Sequence, residues 1–411
     1  MALEVRNIAT EDEFDAFCDA MDVGFYAPQD RGDGRRRRSR YPDLGRLWAG
    51  FDGGQVVSTF ISNPLELTVP GGAQVPMSGI TGVTVSATHR RRGLASRMMN
   101  AELTRAKEAG EAIAGLIAAE YPIYGRYGFG AASEAARWTV DARDLRFQRA
   151  LPGTVELVDP AVARVEAEAL WDRIRARQNG AVSREGWRWD KDTGQGLREG
   201  EFEPRDVLHA LCRDEHGQTV GYTTYRHIER WTNQRPDNDL TATVLIATDP
   251  VYEARLWQYL AGHDWTSRVI GPEADRVDAL WRDLLVDRRM AVPGNVWDFV
   301  WLRLLDPAAA LAARKYAGAD RLVLRVEDKD GYAQGVFALE TAGDGTAVCG
   351  PSLESADVTL AADRLAAIYL GGYTAARYAA LGLLEEHTAG AAERLSTLFA
   401  TGLAPHNPML F

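Results

Sequence analysis

The stretch VTVSATHRRRGLASRMM, Val83 to Met99, constrains the fold more than any other. Apolar alternation stops at Val85, and from there the apolar positions fall at Leu94, Met98, Met99, Leu103 and Ala106, one face of a helix. A β-strand therefore runs into a helix across a short turn, with Arg90, Arg91 and Arg92 packed at the junction. The first turn of a helix leaves its backbone N–H groups unpaired, and the helix dipole makes that end positive. Gly93 lets a ligand approach the backbone and Ala95 keeps the following turn uncluttered, which suits a phosphate or pyrophosphate. An arginine triplet alone also reads as a basic helix start facing water. The full spacing, V-x-V and then R-x-x-G-x-A, is the more specific feature.

The flanking segments set that junction in a mixed α+β layout. LEVRNIA alternates like a strand, and Thr10 opens a T-x-x-E capping box with Glu13, ahead of Phe14, Phe17 and Met21 on one helical face. GRLWAGF, a turn at Asp52-Gly53-Gly54 and QVVSTFISN read as a β-hairpin. LELTVP, a turn at Gly71-Gly72 and QVPMSGITGVTVSA extend it into an antiparallel meander. The helix after Gly93 closes before Gly110, and AIAGLIAA is a short apolar strand. The order β, helix, meander, helix, β is that of an α+β domain.

A chain of 411 residues is too long for one ordinary core, so two or three domains are expected. Hydrophobic content of 46% beside 26% charged residues fits a folded soluble protein. No apolar run reaches the ~20 residues of a membrane span. The start MALEVRNIAT lacks a basic n-region followed by an apolar core, so neither a signal peptide nor a membrane partner is expected. Cys18, Cys212 and Cys349 lie far apart, which argues against a disulfide framework and for a reducing, cytoplasmic setting. The histidines are scattered, so no metal is expected. A formal charge of −11 argues against nucleic acid and for a cationic small substrate.

V-x-V followed by R-x-x-G-x-A resembles the acetyl-CoA site of the GNAT N-acetyltransferases. The resemblance implies that Val83, Thr84 and Val85 line the pantetheine arm and that Arg91, Arg92, Gly93, Leu94, Ala95 and Ser96 cradle the pyrophosphate. IYGRYGFG, Ile123 to Gly130, resembles a segment of the Eis (enhanced intracellular survival) group, which makes Tyr124 the general acid. Ala119 and Glu120, at the end of the neighbouring strand, match positions that contact acetyl-CoA in that group. There the base is the α-carboxylate of a terminal phenylalanine, here Phe411 in HNPMLF, where Pro405 and Pro408 keep the tail extended. The competing reading of Gly128-Phe129-Gly130 as a dinucleotide fingerprint fails, since its last position is Ser133 and no strand leads into it.

The Eis resemblance covers the whole chain. It implies a GNAT domain over 1–150, a degenerate GNAT-like domain over 151–297, and a sterol-carrier-like domain over 298–411 whose end reaches the active site. A Pro/Gly-containing break near residue 150 precedes a helical stretch, the Trp-rich GWRWD, and the strands DVLHALCRD and TVGYTTYRHI. ATVLIATDPVYEARLWQYLAGHDW repeats the strand-then-helix order, but Asp249, Pro250 and Glu253 stand where the arginines should be. Negative charge there would repel a pyrophosphate. The third unit, from NVWDFVWLRLLDPAAAL, is expected as a packed structural domain. The run GDGRRRRSRYP, Gly32 to Pro42, reads as a solvated loop or an inter-subunit contact. The resemblance further implies a homohexamer and a cationic amine acceptor such as an aminoglycoside or polyamine. Asp19 and Asp22, beside Phe25 and Tyr26, are placed to line its pocket, or to be surface charges. The alternatives are a protein-lysine acetyltransferase, or a non-catalytic lipid- or effector-binding protein with a relict cofactor site.

Overall fold

Three sheets organise the computed structural model, which describes residues 3–27, 38, 40–41, 43–195 and 207–411. Of the arginine-rich run only Arg38, Arg40 and Tyr41 are among these, and the rest of it lies outside the described residues. The first strands are β1 (Glu4–Asn7), β2 (Leu47–Asp52), β3 (Gln55–Thr68), β4 (Gln74–Val85), β5 (Ile113–Ile117) and β6 (Gly130–Ala131). Helix α1 (Glu11–Gly24) follows β1, α2 (Leu94–Glu108) joins β4 to β5, and the single turn α3 (Tyr121–Tyr124) follows β5. The capping box forms: Thr10 Oγ1 accepts from Glu13 N at 3.2 Å, and the Glu13 carboxylate accepts from Ala9 N at 2.8 Å. The meander β2–β3–β4 is antiparallel, and β4 runs parallel to β5. QVVSTFISN and LELTVP, read separately in the sequence, form the single strand β3, which passes through Pro64. Pro64 is tolerated because β2 pairs only as far as Ile61, so one neighbouring strand is already gone.

The second sheet is built from β7 (Glu134–Asp141), β8 (Thr154–Val158), β9 (Leu208–Arg213) and β10 (Thr219–Ile228). A small ribbon of β11 (Trp231–Thr232) and β12 (Arg235–Pro236) interrupts the chain before β13 (Asn238–Ala247), β14 (Thr266–Ile270) and β15 (Ala291–Asp298) complete that sheet. Its helices are α4 (Pro160–Arg175), α5 (Gly186–Asp192) and α6 (Pro250–Ala261). Parallel β13 and β14 joined by α6 repeat the layout of β4, α2 and β5.

The sheets trade strands. β7 follows β6 in the chain yet pairs with β14 and β15. β16 (Val300–Leu304) follows β15 yet crosses to the first sheet, where it pairs antiparallel with all of β5, from Val300 opposite Ile117 to Leu304 opposite Ile113. Both neighbours of β5 are therefore needed to bury IAGLI, which is apolar on both faces. Each division expected at 150 and 298 leaves one strand on the far side from its sheet: 134–141 precedes 150 yet serves the second sheet, and 300–304 follows 298 yet serves the first.

The third unit follows, with α7 (Pro307–Ala313), β17 (Asp320–Glu327), β18 (Gly335–Thr341), β19 (Ala347–Pro351), β20 (Val358–Ala361), α8 (Ala362–Ile368), α9 (Ala375–Ala380), β21 (Leu384–Glu386) and α10 (Ala391–Phe399). Its sheet has the order β19-β18-β17-β20-β21. Its core is continuous with one face of the first sheet: Leu322, Leu365 and Phe399 share a cluster with Met77, Val300 and Leu302.

Candidate functional site

The register along β3 and β4 explains how a site opens between β4 and β5. Thr59 pairs with Thr84 but Ile61 with Thr81, so β4 carries an extra residue opposite Phe60. Such a bulge bends its strand. It is centred on Gly82, whose φ of 60° a side chain resists and whose Cβ would meet Ile61 at 2.7 Å. Pairing between β4 and β5 ends at Ile80 opposite Leu116, while β4 runs on to Val85. Val83, Thr84 and Val85 therefore flank a gap. β5 stops at Ile117, so Ala119 and Glu120 lie just past the strand rather than in it, and both are exposed.

Beyond β4 the chain turns into α2 through two left-handed residues, Arg91 at φ 63° and Gly93 at φ 78°. An arginine in that conformation is strained, a feature typical of functional loops. Gly93 is the N-cap, no side chain caps the helix, and its first turn holds no acid. A Cβ on Gly93 would meet nothing within 4 Å, so space lies open beside it. Arg91 and Arg92 are exposed and have no ionic partner among the described residues. Arg90 turns back, its Nε donating to Val85 O at 3.5 Å. Leu94 is buried and anchors the turn, Ala95 is half-buried, and the half-buried Ser96 hydroxyl lies 2.8 Å from the Tyr127 hydroxyl. That contact ties the helix start to the IYGRYGFG segment, a link the sequence did not reveal.

Tyr124 ends α3, half-buried, its ring edge-on to Phe129 at 6.3 Å. Burial, then Tyr127 and Glu120 nearby, push its hydroxyl above the usual tyrosine range. Desolvation disfavours the phenolate, so the hydroxyl keeps its proton. The glycines of this segment serve packing. Gly128, at φ 76°, would put a Cβ 2.7 Å from the Arg303 guanidinium, and Gly130 would put one 1.9 Å from Asp363 O at the head of α8. Arg303 is fully buried on β16 and pairs at 2.5 Å with Asp328, which also accepts from Ala333 N at 2.7 Å. The segment thus seats on the exchanged strand and on the third unit together.

The alternation of β5 and β16 divides the site into two faces. Ala114, Leu116 and Trp301 face α2, sharing a cluster with Met98, Met99 and Leu103, and Tyr124 packs there. Ile113, Val300 and Leu302 face the other way, where Ile117 packs and where Phe411, 6% exposed, is buried. Tyr124 and Phe411 thus belong to two different hydrophobic clusters, which β5 and β16 separate. The tail before Phe411 is pinned by hydrogen bonds: His406 N donates to Asn179 O at 2.8 Å, Val182 N to Asn407 Oδ1 at 3.2 Å, and Ala404 N to Asp278 Oδ2 at 3.0 Å. Pro408, Met409 and Leu410 line a cavity of about 460 Å³, together with Ile117, Trp297 and Phe299. Ile117 and Phe299 belong to the Phe411 face.

The acidic residues at the end of α1 divide. Asp22 is 7% exposed, whereas Asp19 and Phe25 are exposed. The end of α1 presses on Thr84, since a Cβ on Gly24 would lie 2.5 Å from the Thr84 Cβ. None of the three lines the cavity beside the tail. In the second sheet the matching helix start is already capped: Asp249 accepts from Val251 N at 3.3 Å and Pro250 occupies the first position, while burial pushes the Glu253 carboxyl well above its usual range. Among the described residues no group of histidine, cysteine and carboxylate side chains is placed to hold a metal.

Models of known families match in three places: an acetyltransferase (GNAT) domain at residues 4–132, a second at 180–304, and a sterol carrier protein domain at 307–408. An uncharacterised N-acetyltransferase of Streptomyces avermitilis is 40% identical over 100% of this chain and 99% of its own. The N-acetyltransferase Eis of Mycobacterium tuberculosis is 35% identical over 85% of this chain and 84% of its own. Among solved structures, Eis1 from Mycobacterium abscessus has the same fold, with a TM-score of 0.85 at 24% identity over 99% of this chain and 100% of that one. A GCN5-related N-acetyltransferase from Kribbella flavida scores 0.77 at 24% identity over 100% and 98%.

Proposed function

The chain belongs to the Eis family of GNAT N-acetyltransferases, and on that premise we propose that it moves the acetyl group of acetyl-CoA to the primary amine of a small molecule, with Tyr124 as acid and the Phe411 carboxylate as base. One observation carries the cofactor reading. The start of α2 is uncapped and open, and Arg91 and Arg92 stand beside it without ionic partners among the described residues, an arrangement that suits a pyrophosphate. In this reading Gly93 to Ser96 hold the pyrophosphate, Val83 to Val85 line the pantetheine arm, and Ala119 and Glu120 border its far side. Acetyl-CoA supplies the acetyl group in activated form, as a thioester. The start of α6, capped by Asp249 and without an arginine cluster, supports a single cofactor site per chain.

The two faces give the proton transfers their direction. A free amine has pKa ~10.4, so freeing it of its proton at pH 7 costs about 4.6 kcal/mol. The carboxylate of Phe411, which follows the Pro408 to Leu410 wall of the tail cavity, takes that proton. The departing thiol, pKa ~8.5, needs a proton on the α2 face. Tyr124 lies there and stays protonated at neutral pH, because burial disfavours its phenolate.

A cavity of about 460 Å³ has the size of a small-molecule site, which supports a small acceptor over a protein lysine. An aminoglycoside or polyamine is the acceptor implied by the family resemblance, supported by the charge of −11. Homo-oligomeric, by resemblance hexameric, assembly belongs to the same proposal. The exposed Val292 and Val296 on the edge strand β15 support it. No helix among the described residues is long and apolar enough to cross a membrane, and the cytoplasmic setting rests on three free cysteines.

The test is titration with acetyl-CoA together with thiol release. Arg92→Glu should raise the acetyl-CoA dissociation constant at least about tenfold. Tyr124→Phe should bind normally and lose about 10²–10⁴-fold in kcat. A chain extended by a few residues beyond Phe411 should bind acetyl-CoA and lose most activity. Undiminished turnover by the extended chain removes Phe411 from the mechanism.

A further inference from the structure

The cavity beside the tail has a lining at odds with a purely cationic acceptor. Its walls come from α5, the segment just before it, and strands β7, β10 and β13 of the second sheet, closed by Pro408 to Leu410. Five basic side chains line it, Arg137, Arg184, Arg188, Lys191 and Arg226, against two acidic ones, Asp192 and Glu273. Three of the five are paired. Arg188 Nε donates to Glu185 at 2.8 Å, Arg137 meets Glu273 only at 3.7 Å, and Arg184 pairs with Asp192. Lys191 and Arg226 are exposed to the cavity with no ionic partner among the described residues.

Arg184 is the second, independent sign. Its side chain is 9% exposed, lies over the Trp189 ring at 4.7 Å, and its Nε donates to nothing. A buried guanidinium with an orphaned donor is a costly arrangement unless a further acceptor arrives. The electrostatics agree. Burial lowers the Arg184 guanidinium and raises the Asp192 carboxyl, so one carboxylate does not compensate for the water that both groups have lost.

This basic wall stands in a chain of formal charge −11, and the acidic residues Asp19 and Asp22 do not line the cavity. We infer that the amine acetylated here also carries an acidic group, a carboxylate or a phosphate, held by Arg184, Lys191 and Arg226 while its amine points toward Ile117 and the tail. The inference rests on the acetyl-transfer reading above and replaces a polycationic acceptor with one that is amine at one end and anion at the other. Charge-assisted bonds to arginine give such a site both affinity and orientation.

The experiment uses the full-length protein and a matched five-carbon set: aminopentanoate, aminopentyl phosphate, pentylamine and diaminopentane. Thiol release gives kcat/KM for each. A thermal shift on the CoA-bound protein gives a readout independent of turnover. At least one acid-bearing amine should exceed pentylamine by about tenfold in kcat/KM and raise Tm, with diaminopentane poorest. The carboxylate and phosphate arms identify which anion is read. The double substitution Lys191→Glu with Arg226→Glu, both exposed, should abolish that preference and shift it toward diaminopentane, with acetyl-CoA affinity unchanged. Preference of the wild type for diaminopentane, or no preference and no thermal shift with either acid, overturns the inference and leaves acetyl transfer standing. Failure of the wild type to bind acetyl-CoA overturns the reading beneath it.

Discussion

At the scale of single residues, the most demanding side chain is one that does no chemistry. Glu102 is fully buried on α2, on the same face as Met98, Met99 and Leu103. It accepts from Ser62 Oγ at 2.6 Å, Ser78 Oγ at 2.8 Å, Trp48 Nε1 at 2.9 Å and two nitrogens of Arg105 at 2.7 and 2.9 Å. One carboxylate thus bolts α2 to β2, β3 and β4, and so fixes the helix start against the bulged strand. Burial alone would raise Glu102, but its donors, Arg105 first, hold it below the usual range. A carboxyl lowered in the folded state contributes stability above its unfolded value of ~4.3 and loses it as pH falls through the folded value. Glu102→Gln should therefore cost about 3 kcal/mol in urea unfolding at pH 7, and the gap to wild type should narrow only as pH falls below ~4. A gap that does not change with pH would mean that Glu102 acts through packing rather than charge.

At the scale of elements, the glycines of IYGRYGFG separate by what they touch. Gly130→Ala forces a Cβ to within 1.9 Å of the α8 backbone, so strand or helix must move. It should cost about 1–3 kcal/mol and broaden the melt. Gly125→Ala, whose Cβ would meet nothing within 4 Å, should fall within about 0.5 kcal/mol of wild type in the same calorimetric scan. Equal effects would refute the packing account. This contrast also marks where the sequence is informative. The β4–α2 junction is readable because its hydrophobic period changes within a few residues, and the capping box at Thr10 because its chemistry is local. The same holds for β13 and α6, down to the acid that fills the helix start. The partners of Gly128 and Gly130 lie on β16 and α8, far along the chain, and no local pattern announces them. Glu102 left a faint trace as a carboxylate on an apolar helix face. The basic cavity left none, because α5, β7 and β10 supply its charges from separate stretches.

At the scale of the whole molecule, the exchange of β7 and β16 makes the two acetyltransferase sheets one cooperative object. Each closes only with a strand the other segment of chain provides. A fragment of residues 1–150 keeps the β4–α2 junction but lacks β16, which leaves β5 as an apolar edge and removes Trp301 from the cluster that holds Phe129 and Leu116. We expect that fragment to be aggregation-prone, with no cooperative thermal transition and no acetyl-CoA binding. A sharp, reversible melt would show the first sheet to be self-sufficient. The exchange also orders events during synthesis. A ribosome delivers Ile117 long before Val300, its partner across the sheet, so the first sheet must wait while the second is made. The second cannot finish early either, because β7 stays without neighbours until β14 and β15 emerge. Until about residue 304 is free, the nascent chain holds two incomplete sheets with open apolar edges, the condition under which chaperones engage. The wall formed by β5 and β16 is consequently a late product of translation, and a chain released early leaves the ribosome without one.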